Sequence, residues 1–93
     1  MEVKVISPEG DVFAGKADSV ILPGESGGFE ILNMHAPIVS TLGKGEVVIH
    51  ASAGFADAKM QEGLSPDEKG DLVLEVSSGV VKALDNHVTI LVD

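Results

Sequence analysis

The chain lacks cysteine, arginine, tryptophan and tyrosine altogether. Without cysteine it has no disulfides and no thiolate metal ligands. Fifteen carboxylates against six lysines give the 93-residue chain a net charge of −9. Such a chain lacks the phosphate-neutralising charge and the stacking platforms that nucleic acids require. We therefore expect no nucleic-acid partner. We interpret the charge either as a source of solubility or as the complement of a basic partner surface.

Long apolar runs are also absent. No run approaches the roughly 20 residues of a membrane-spanning helix. The first apolar run ends at Ser7-Pro8, which is too early for a signal peptide. We expect one soluble domain over residues 1–93 that meets a membrane only through a partner.

The apolar residues that are present alternate with polar ones, which is the period of a β-strand. Val3 and Val5 share one face of the first segment, opposite Glu2 and Lys4. The same alternation recurs over 46–50, 72–76 and 88–93. Turn signals separate the segments at 7–10, 43–45 and 85–87. Eight or so short strands at this spacing predict an all-β sandwich or barrel.

Two places depart from this regular pattern. Gly15 stands alone inside a strand pattern and predicts a bulge or bend. Residues 53–71 hold three glycines, a proline and five carboxylates without a clean period. We expect a mobile acidic loop or a weak hairpin there, with one or two helical turns over 56–62.

The most informative stretch is 22–37, which places two prolines, three glycines, a histidine and two carboxylates between apolar runs. We interpret it as a long, shaped loop mounted on the sheet, and such loops often carry function. Residues 24–28 also fit the G-x-S-x-G pattern of a hydrolase nucleophile, with Ser26 at its centre. That mechanism needs a helix directly after the serine, and no helical period follows before Pro37. The glycines therefore favour a loop over a catalytic elbow.

The three histidines match no metal-binding spacing. We expect His50 and His87 to be solvated, because one lies on the polar side of a strand and the other beside a turn. For His35 two interpretations stay open, a structural bond to the loop backbone or a contact with a partner. There is no phosphate loop and no dinucleotide fingerprint, so we expect no cofactor and no metal.

Five segments carry a family resemblance, namely 7–15, 20–24, 28–32, 35–37 and 76–93. In order and spacing they resemble the N-terminal domain of the epsilon subunit of F-type ATP synthases. The resemblance covers about three quarters of the chain and leaves out roughly 52–71. It implies a flattened antiparallel β-sandwich of about ten short strands. Because the sequence ends at Asp93, we expect no C-terminal helical domain.

The resemblance also implies a role and a place. The chain would be a non-catalytic rotor subunit of a proton-translocating ATP synthase, peripheral on the cytoplasmic face of the bacterial inner membrane. It would bind the gamma subunit along one side and the polar loops of the membrane c-ring at one end, and so couple ring rotation to the catalytic head. The residues implied for docking are Glu25, Ser26, Gly27, Gly28, Phe29, Glu30, Met34 and His35.

Three features depart from the family pattern. Gly28 stands where an acidic residue is usual, and Glu30 replaces a glycine. Asn33-Met34 replaces the common Pro-Gly before His35. The sequence ends at Asp93, as in short members of the family or in a piece cut at the domain border. We expect coupling without inhibition by C-terminal helices.

Two alternatives from other classes remain. One is a free-standing β-sandwich adaptor that binds a peptide along an exposed edge strand. The other is a small serine hydrolase that uses Ser26.

Overall fold

The computed structural model describes residues 1–60 and 64–93, and all regular structure within them is β-strand. The strands are β1 (Glu2–Ser7), β2 (Gly10–Lys16), β3 (Ser19–Gly24), β4 (Gly27–Leu32), β5 (Ile38–Leu42), β6 (Gly45–His50), β7 (Lys59–Met60), β8 (Ser65–Pro66), β9 (Leu72–Val76), β10 (Gly79–Leu84) and β11 (His87–Val92).

The strands form one continuous sheet that folds into two layers. Its order is β7-β2-β1-β11-β10-β5-β3-β6-β9-β8, with β4 added on the free side of β3. A single residue pair, Gly24 with Leu42, joins β3 to β5, so the sheet bends there. We call the part from β7 to β5 layer one, and the part containing β4, β3, β6, β9 and β8 layer two. The predicted all-β sandwich is confirmed. Its pairs are antiparallel apart from β1 and β11, which run parallel.

The core lies between the two layers and is built by the predicted alternation. Val3 and Val5 of β1 are buried, and so are Val47 and Ile49 of β6. Phe13 of β2 is fully buried and meets Phe55 edge to face, with ring centroids 5.9 Å apart. Because side chains alternate across a strand, the residues between these positions point outward to the two outer faces.

The pairing of β1 with β2 contains a bulge, but the prediction that it lies at Gly15 is wrong. The register between β1 and β2 shifts between Val5 and Ile6, opposite residues 11–13, while Gly15 pairs regularly with Val3. A β-carbon on Gly15 would lie 2.7 Å from the β-carbon of Ala58. The glycine is therefore explained by close approach of the segment before β7.

The predicted turns are confirmed. Ser7 and Gly10 pair across the turn between β1 and β2, and the Ser7 hydroxyl donates to the Gly10 carbonyl at 3.2 Å. Asp85 and Asn86 form the two-residue turn between β10 and β11, with φ of 52° and 61°. Two successive positive φ values are the type I′ geometry that matches the twist of a hairpin.

The segment 53–71 differs from its prediction. The short strands β7 and β8 pair with β2 and β9 respectively, so they extend the two layers and do not form a hairpin with each other. Residues 56–60 show a turn and the strand β7 in place of a helix, and the rest of the predicted helical stretch, 61–62, lies outside the described residues. The predicted mobility of this segment stays a prediction.

Candidate partner-binding site

The predicted docking residues do not form one loop. Residues 27–32 are the strand β4, with the turn Glu25–Ser26 before it and residues 33–37 after it. A six-residue strand is about 20 Å long at roughly 3.3 Å per residue. The expectation of a single long loop is therefore wrong. We call the two ends of the sandwich the Ser26 end and the His35 end.

At the Ser26 end, backbone hydrogen bonds join the hairpin of β3 and β4 to the segment that connects β5 and β6. The Glu25 amide donates to the Thr41 carbonyl at 3.4 Å, and the Gly43 amide donates to the Pro23 carbonyl at 2.7 Å. Gly27 takes the positive φ of this turn, 129°. Glu25, Ser26 and Gly27 are exposed, so this end presents polar side chains and backbone on a rigid support.

Along β4, the predicted residues divide between the two faces. Phe29 pairs with Leu22 and is half-buried against the core. Glu30 pairs with Ile21 and is exposed, as is Gly28. Among the strands of the described residues, β4 pairs only with β3, so its other edge offers backbone groups to a partner.

At the His35 end, residues 33–37 are all exposed, and Met34 has 77% of its surface accessible. Met34 takes φ of 62°, the left-handed region that glycine adopts without penalty. Its amide donates to Asn86 Oδ1 at 2.8 Å, and the His35 amide donates to the Leu32 carbonyl at 3.2 Å. These bonds hold Met34 in a backbone conformation that favours glycine.

The N-terminus also fixes this end. The Met1 ammonium donates to the Ala17 carbonyl at 3.0 Å and to Asn33 Oδ1. His35 Nδ1 donates to the Ala36 carbonyl at 2.6 Å, which supports the structural interpretation of this imidazole. The roles of Met1 and Asn86 could not be predicted from the sequence, because only tertiary structure brings them to residues 33–34.

The geometry places no imidazole near Ser26. His50 pairs with Ser19, at the opposite end of β3 from the turn that holds Ser26. His87 pairs with Glu2 and Leu84, also at the His35 end. The imidazoles thus lie roughly a strand length away, on the order of 20 Å. A base must come within about 3 Å of its nucleophile, or reach it through one water, so the hydrolase interpretation loses its mechanism.

His50 is more constrained than expected. Its Nδ1 lies 2.6 Å from Asp71 Oδ1. This hydrogen bond is the main reason that the pKa of His50 is raised, and the negative charges of Asp71, Asp18 and Glu30 raise it further. Asp18 accepts bonds from the amide and hydroxyl of Ser52, both at 2.7 Å, which lower the pKa of Asp18. His50 is exposed, as predicted, and its bond to Asp71 is a contact that the sequence did not predict.

His87 stays beside its turn, as the sequence placed it. Its Nδ1 donates to the Asp85 carbonyl at 2.8 Å, and its side chain is exposed. Within residues 1–60 and 64–93, no three histidines or carboxylates converge as metal ligands. Nor does the described part of the chain contain a helix of the length and apolarity needed to span a membrane.

Comparisons with known proteins agree with this architecture. The family model described as the ATP synthase delta/epsilon chain beta-sandwich domain matches residues 1–93. The ATP synthase epsilon chain of Leptospira interrogans is 39% identical over the whole chain, which spans 61% of that relative. The epsilon chain of Salinibacter ruber is 28% identical, and this chain spans 58% of it.

A solved structure shares the fold. A chain in the central stalk and c-ring structure of the Tetrahymena thermophila mitochondrial ATP synthase matches with a TM-score of 0.66 at 19% identity. The match covers 99% of this chain and 62% of that one. With the family model matched from the first residue to the last, this chain belongs to the beta-sandwich domain family of ATP synthase delta and epsilon chains.

Proposed function

We propose that this chain is a non-catalytic subunit of the central stalk of a proton-translocating F-type ATP synthase. It would couple rotation of the c-ring to the gamma subunit and the catalytic head. The observation that carries the proposal is the match of the whole chain to the delta/epsilon sandwich family, together with epsilon-chain relatives that include one 39% identical over the whole of this chain. The chain spans about three fifths of those relatives.

The two-ended arrangement supports contacts with two neighbours. The Ser26 end presents the short polar turn Glu25–Ser26, which suits the polar loops of a membrane ring. The edge of β4 and the exposed Met34 side chain suit a longer-lived protein interface, since methionine adapts well to a partner surface. We assign the first contact to the c-ring and the second to gamma, which would place the domain on the cytoplasmic face of a bacterial inner membrane.

The experiment that tests the role is binding to the gamma subunit from the same genome, followed by size exclusion. We expect a stable one-to-one complex. If the folded domain forms no complex, the stalk role fails, and a free-standing adaptor that uses the β4 edge becomes the better explanation.

A second experiment tests the assignment of the two ends. Substitutions Glu25→Gln with Ser26→Ala should weaken attachment to the ring in the reconstituted enzyme and spare gamma binding. Substitutions Met34→Ser with His35→Ala should do the reverse. Both pairs change exposed residues, so we expect melting temperatures close to that of the unaltered protein. Equal losses from both pairs would contradict the division.

The absence of helical inhibition stays a prediction. Removing this subunit from the reconstituted enzyme should weaken coupling between proton flow and ATP synthesis. It should leave ATP hydrolysis by the soluble head unchanged. A large rise in hydrolysis would show that the subunit inhibits.

A further inference from the structure

Three lysines surround a single alanine on the outer side of layer one. Ala14 of β2 pairs directly with Lys4 of β1 on one side and with Lys59 of β7 on the other. Lys16 lies two residues further along β2, so the alternation of a strand puts its side chain on the same face. These three residues, which we call the lysine triad, are half of the six lysines in a chain of net charge −9. The strand register therefore gathers positive charge at one point of an acidic protein.

Two cavities meet at this point. The first has a volume of about 530 Å³, lies between β2 and the segment before β7, and is lined by Lys16 and Lys59. The second has a volume of about 450 Å³, lies over β1, β2 and β11, and is lined by Lys4. Ala14 and Gly15 line both cavities, so the two form one open cleft with the lysine triad at its centre. Each volume lies in the range of small-molecule sites.

The wall of the cleft that carries Lys59 is held in place by packing. Phe55 meets Phe13 of the core edge to face, and the Ala58 amide donates to the Phe55 carbonyl at 3.1 Å. Ala58 lies directly against Gly15, where a β-carbon would not fit. The cleft is therefore formed in the absence of a ligand, and a preformed site spends little binding free energy on ordering.

The charges around the cleft are mixed, but the lysines are available. Of the lysine triad, only Lys4 forms an ion pair within the described part of the chain, at 3.8 Å from Asp11. Both side chains of that pair are more than half exposed, and such pairs contribute little. Two carboxylates, Glu2 and Asp57, also line the first cavity, and Glu2 is the cross-strand partner of Lys16. An anion must outweigh these carboxylates, which requires more than one negative charge.

We propose that the cleft binds a small phosphate-bearing anion, with the lysine triad around the phosphate and the organic part of the ligand against Phe55. Lysine ammonium groups bind phosphate as point charges on flexible four-carbon stems. The backbones of Lys4 and Lys59 lie two strand spacings apart, roughly 10 Å, so their side chains can converge above the small Ala14 methyl. Phe55 lines the first cavity and offers an apolar surface. The inference does not depend on the stalk role.

A small soluble anion fits the cleft better than a large anionic surface. Charges on a protein surface act over about 8 Å at physiological salt, so a small anion in the cleft meets mainly the lysine triad. A membrane of anionic lipid would also meet the rest of a chain of net charge −9. The proposal therefore commits to a soluble phosphate compound.

The test uses inorganic pyrophosphate and phenyl phosphate as probes in calorimetry. We expect saturable binding of both by the unaltered chain, and tighter binding at 50 mM than at 300 mM salt, because the Debye length falls from ~14 Å to ~6 Å. Lys16→Gln with Lys59→Gln should weaken the binding of both probes at least tenfold. Lys44→Gln with Lys69→Gln removes the same charge from exposed positions elsewhere and should change it less than twofold.

Two single substitutions separate binding from folding. Ala14→Val fills the space between Lys4 and Lys59 and should weaken binding at least fivefold. Valine forms strands better than alanine, so the melting temperature of this variant should not fall. Glu2→Gln removes a carboxylate from the cleft and should strengthen binding at least twofold. A purely structural role of these residues would not give this pattern.

The remaining outcomes overturn the inference. Equal losses from the two double variants would show a general effect of net charge, and failure of the unaltered chain to bind either probe would remove the site. Vesicles that contain phosphatidic acid test the other source of phosphate. Binding to these vesicles that is lost in Lys16→Gln with Lys59→Gln, without binding of either soluble probe, would assign the cleft to a lipid headgroup and overturn the assignment to a soluble anion.

Discussion

At the scale of single residues, Met34 is the clearest strained position. It is highly exposed and takes the left-handed backbone region with φ of 62°, which costs a non-glycine residue roughly 1 kcal/mol. We expect Met34→Gly to raise the free energy of unfolding by up to about 1 kcal/mol, less the entropy that glycine adds to the unfolded chain. Urea unfolding at neutral pH measures the change.

Met34→Ala is the control for that measurement. Alanine keeps the β-carbon and removes the exposed side chain, so its free energy of unfolding should stay within about 0.5 kcal/mol of the original. If Met34→Ala raised the free energy of unfolding as much as Met34→Gly, the destabilisation would come from the methionine side chain. That result would contradict the explanation by backbone conformation.

His50 makes stability depend on pH. Its pKa in the folded state is raised above 6.5 by the bond to Asp71, so this contact stabilises the fold fully below about pH 6.5 and loses its effect as pH rises through the folded-state pKa. The difference in stability between the unaltered chain and His50→Ala should therefore shrink from pH 6 towards pH 8.5.

Removing the partner checks the source of this dependence. In an Asp71→Asn background, His50→Ala should cost a nearly constant amount across the same pH range, as urea midpoints would report. A dependence that survives in this background would point to Asp18 or Glu30 as the responsible carboxylate.

At the scale of elements, the turn between β3 and β4 depends on one glycine. A β-carbon on Gly24 would lie 2.6 Å from the Gly27 carbonyl oxygen and 2.9 Å from the Phe29 ring. We expect Gly24→Ala to destabilise the protein by about 1–3 kcal/mol. On the same hairpin a β-carbon on Gly28 meets nothing closer than 3.6 Å, so Gly28→Ala should change stability by less than about 0.5 kcal/mol. Thermal unfolding of both variants makes the comparison.

The strands that bury one face in the core could be predicted from the sequence. Val47 and Ile49 alternate with outward-facing residues and are buried in the structure, because a period of two is a local property of the chain. The fold class and the hairpin turn at Asp85–Asn86 could be predicted for the same reason. β4 was missed because Gly27, Gly28 and Glu30 obscure its alternation, and only pairing with β3 makes it a strand.

The candidate site was predictable in its residues but not in its arrangement. The composition of 22–37 singled out the residues from Glu25 to His35, yet the separation into two ends depends on β4. The bonds from Asn86 to Met34 and from Met1 to Asn33 join positions far apart in the chain, and local patterns carry no information about such contacts. The contact between Glu46 and Glu75 likewise depends on register, since these residues become neighbours only when β6 pairs with β9.

At the scale of the whole molecule, the net charge of −9 opposes compaction through self-repulsion. Salt screens this repulsion, so the melting temperature should rise between 20 and 500 mM sodium chloride, about the range over which the Debye length falls from ~20 Å to ~4 Å. The variant Glu46→Lys with Glu75→Lys carries four fewer net negative charges and should show a smaller rise. A melting temperature that falls with salt would mean that the two ion pairs outweigh the repulsion.

The parallel pairing of β1 with β11 has a consequence for synthesis. β11 lies between β1 and β10 in layer one, so β1 can pair with β2 early in synthesis but waits for residues 87–92 before its second neighbour exists. Layer two needs none of these residues. On a nascent chain, β3, β4, β6 and β9 are therefore free to associate while layer one is still open, and the domain closes only after residue 92 has cleared the exit tunnel.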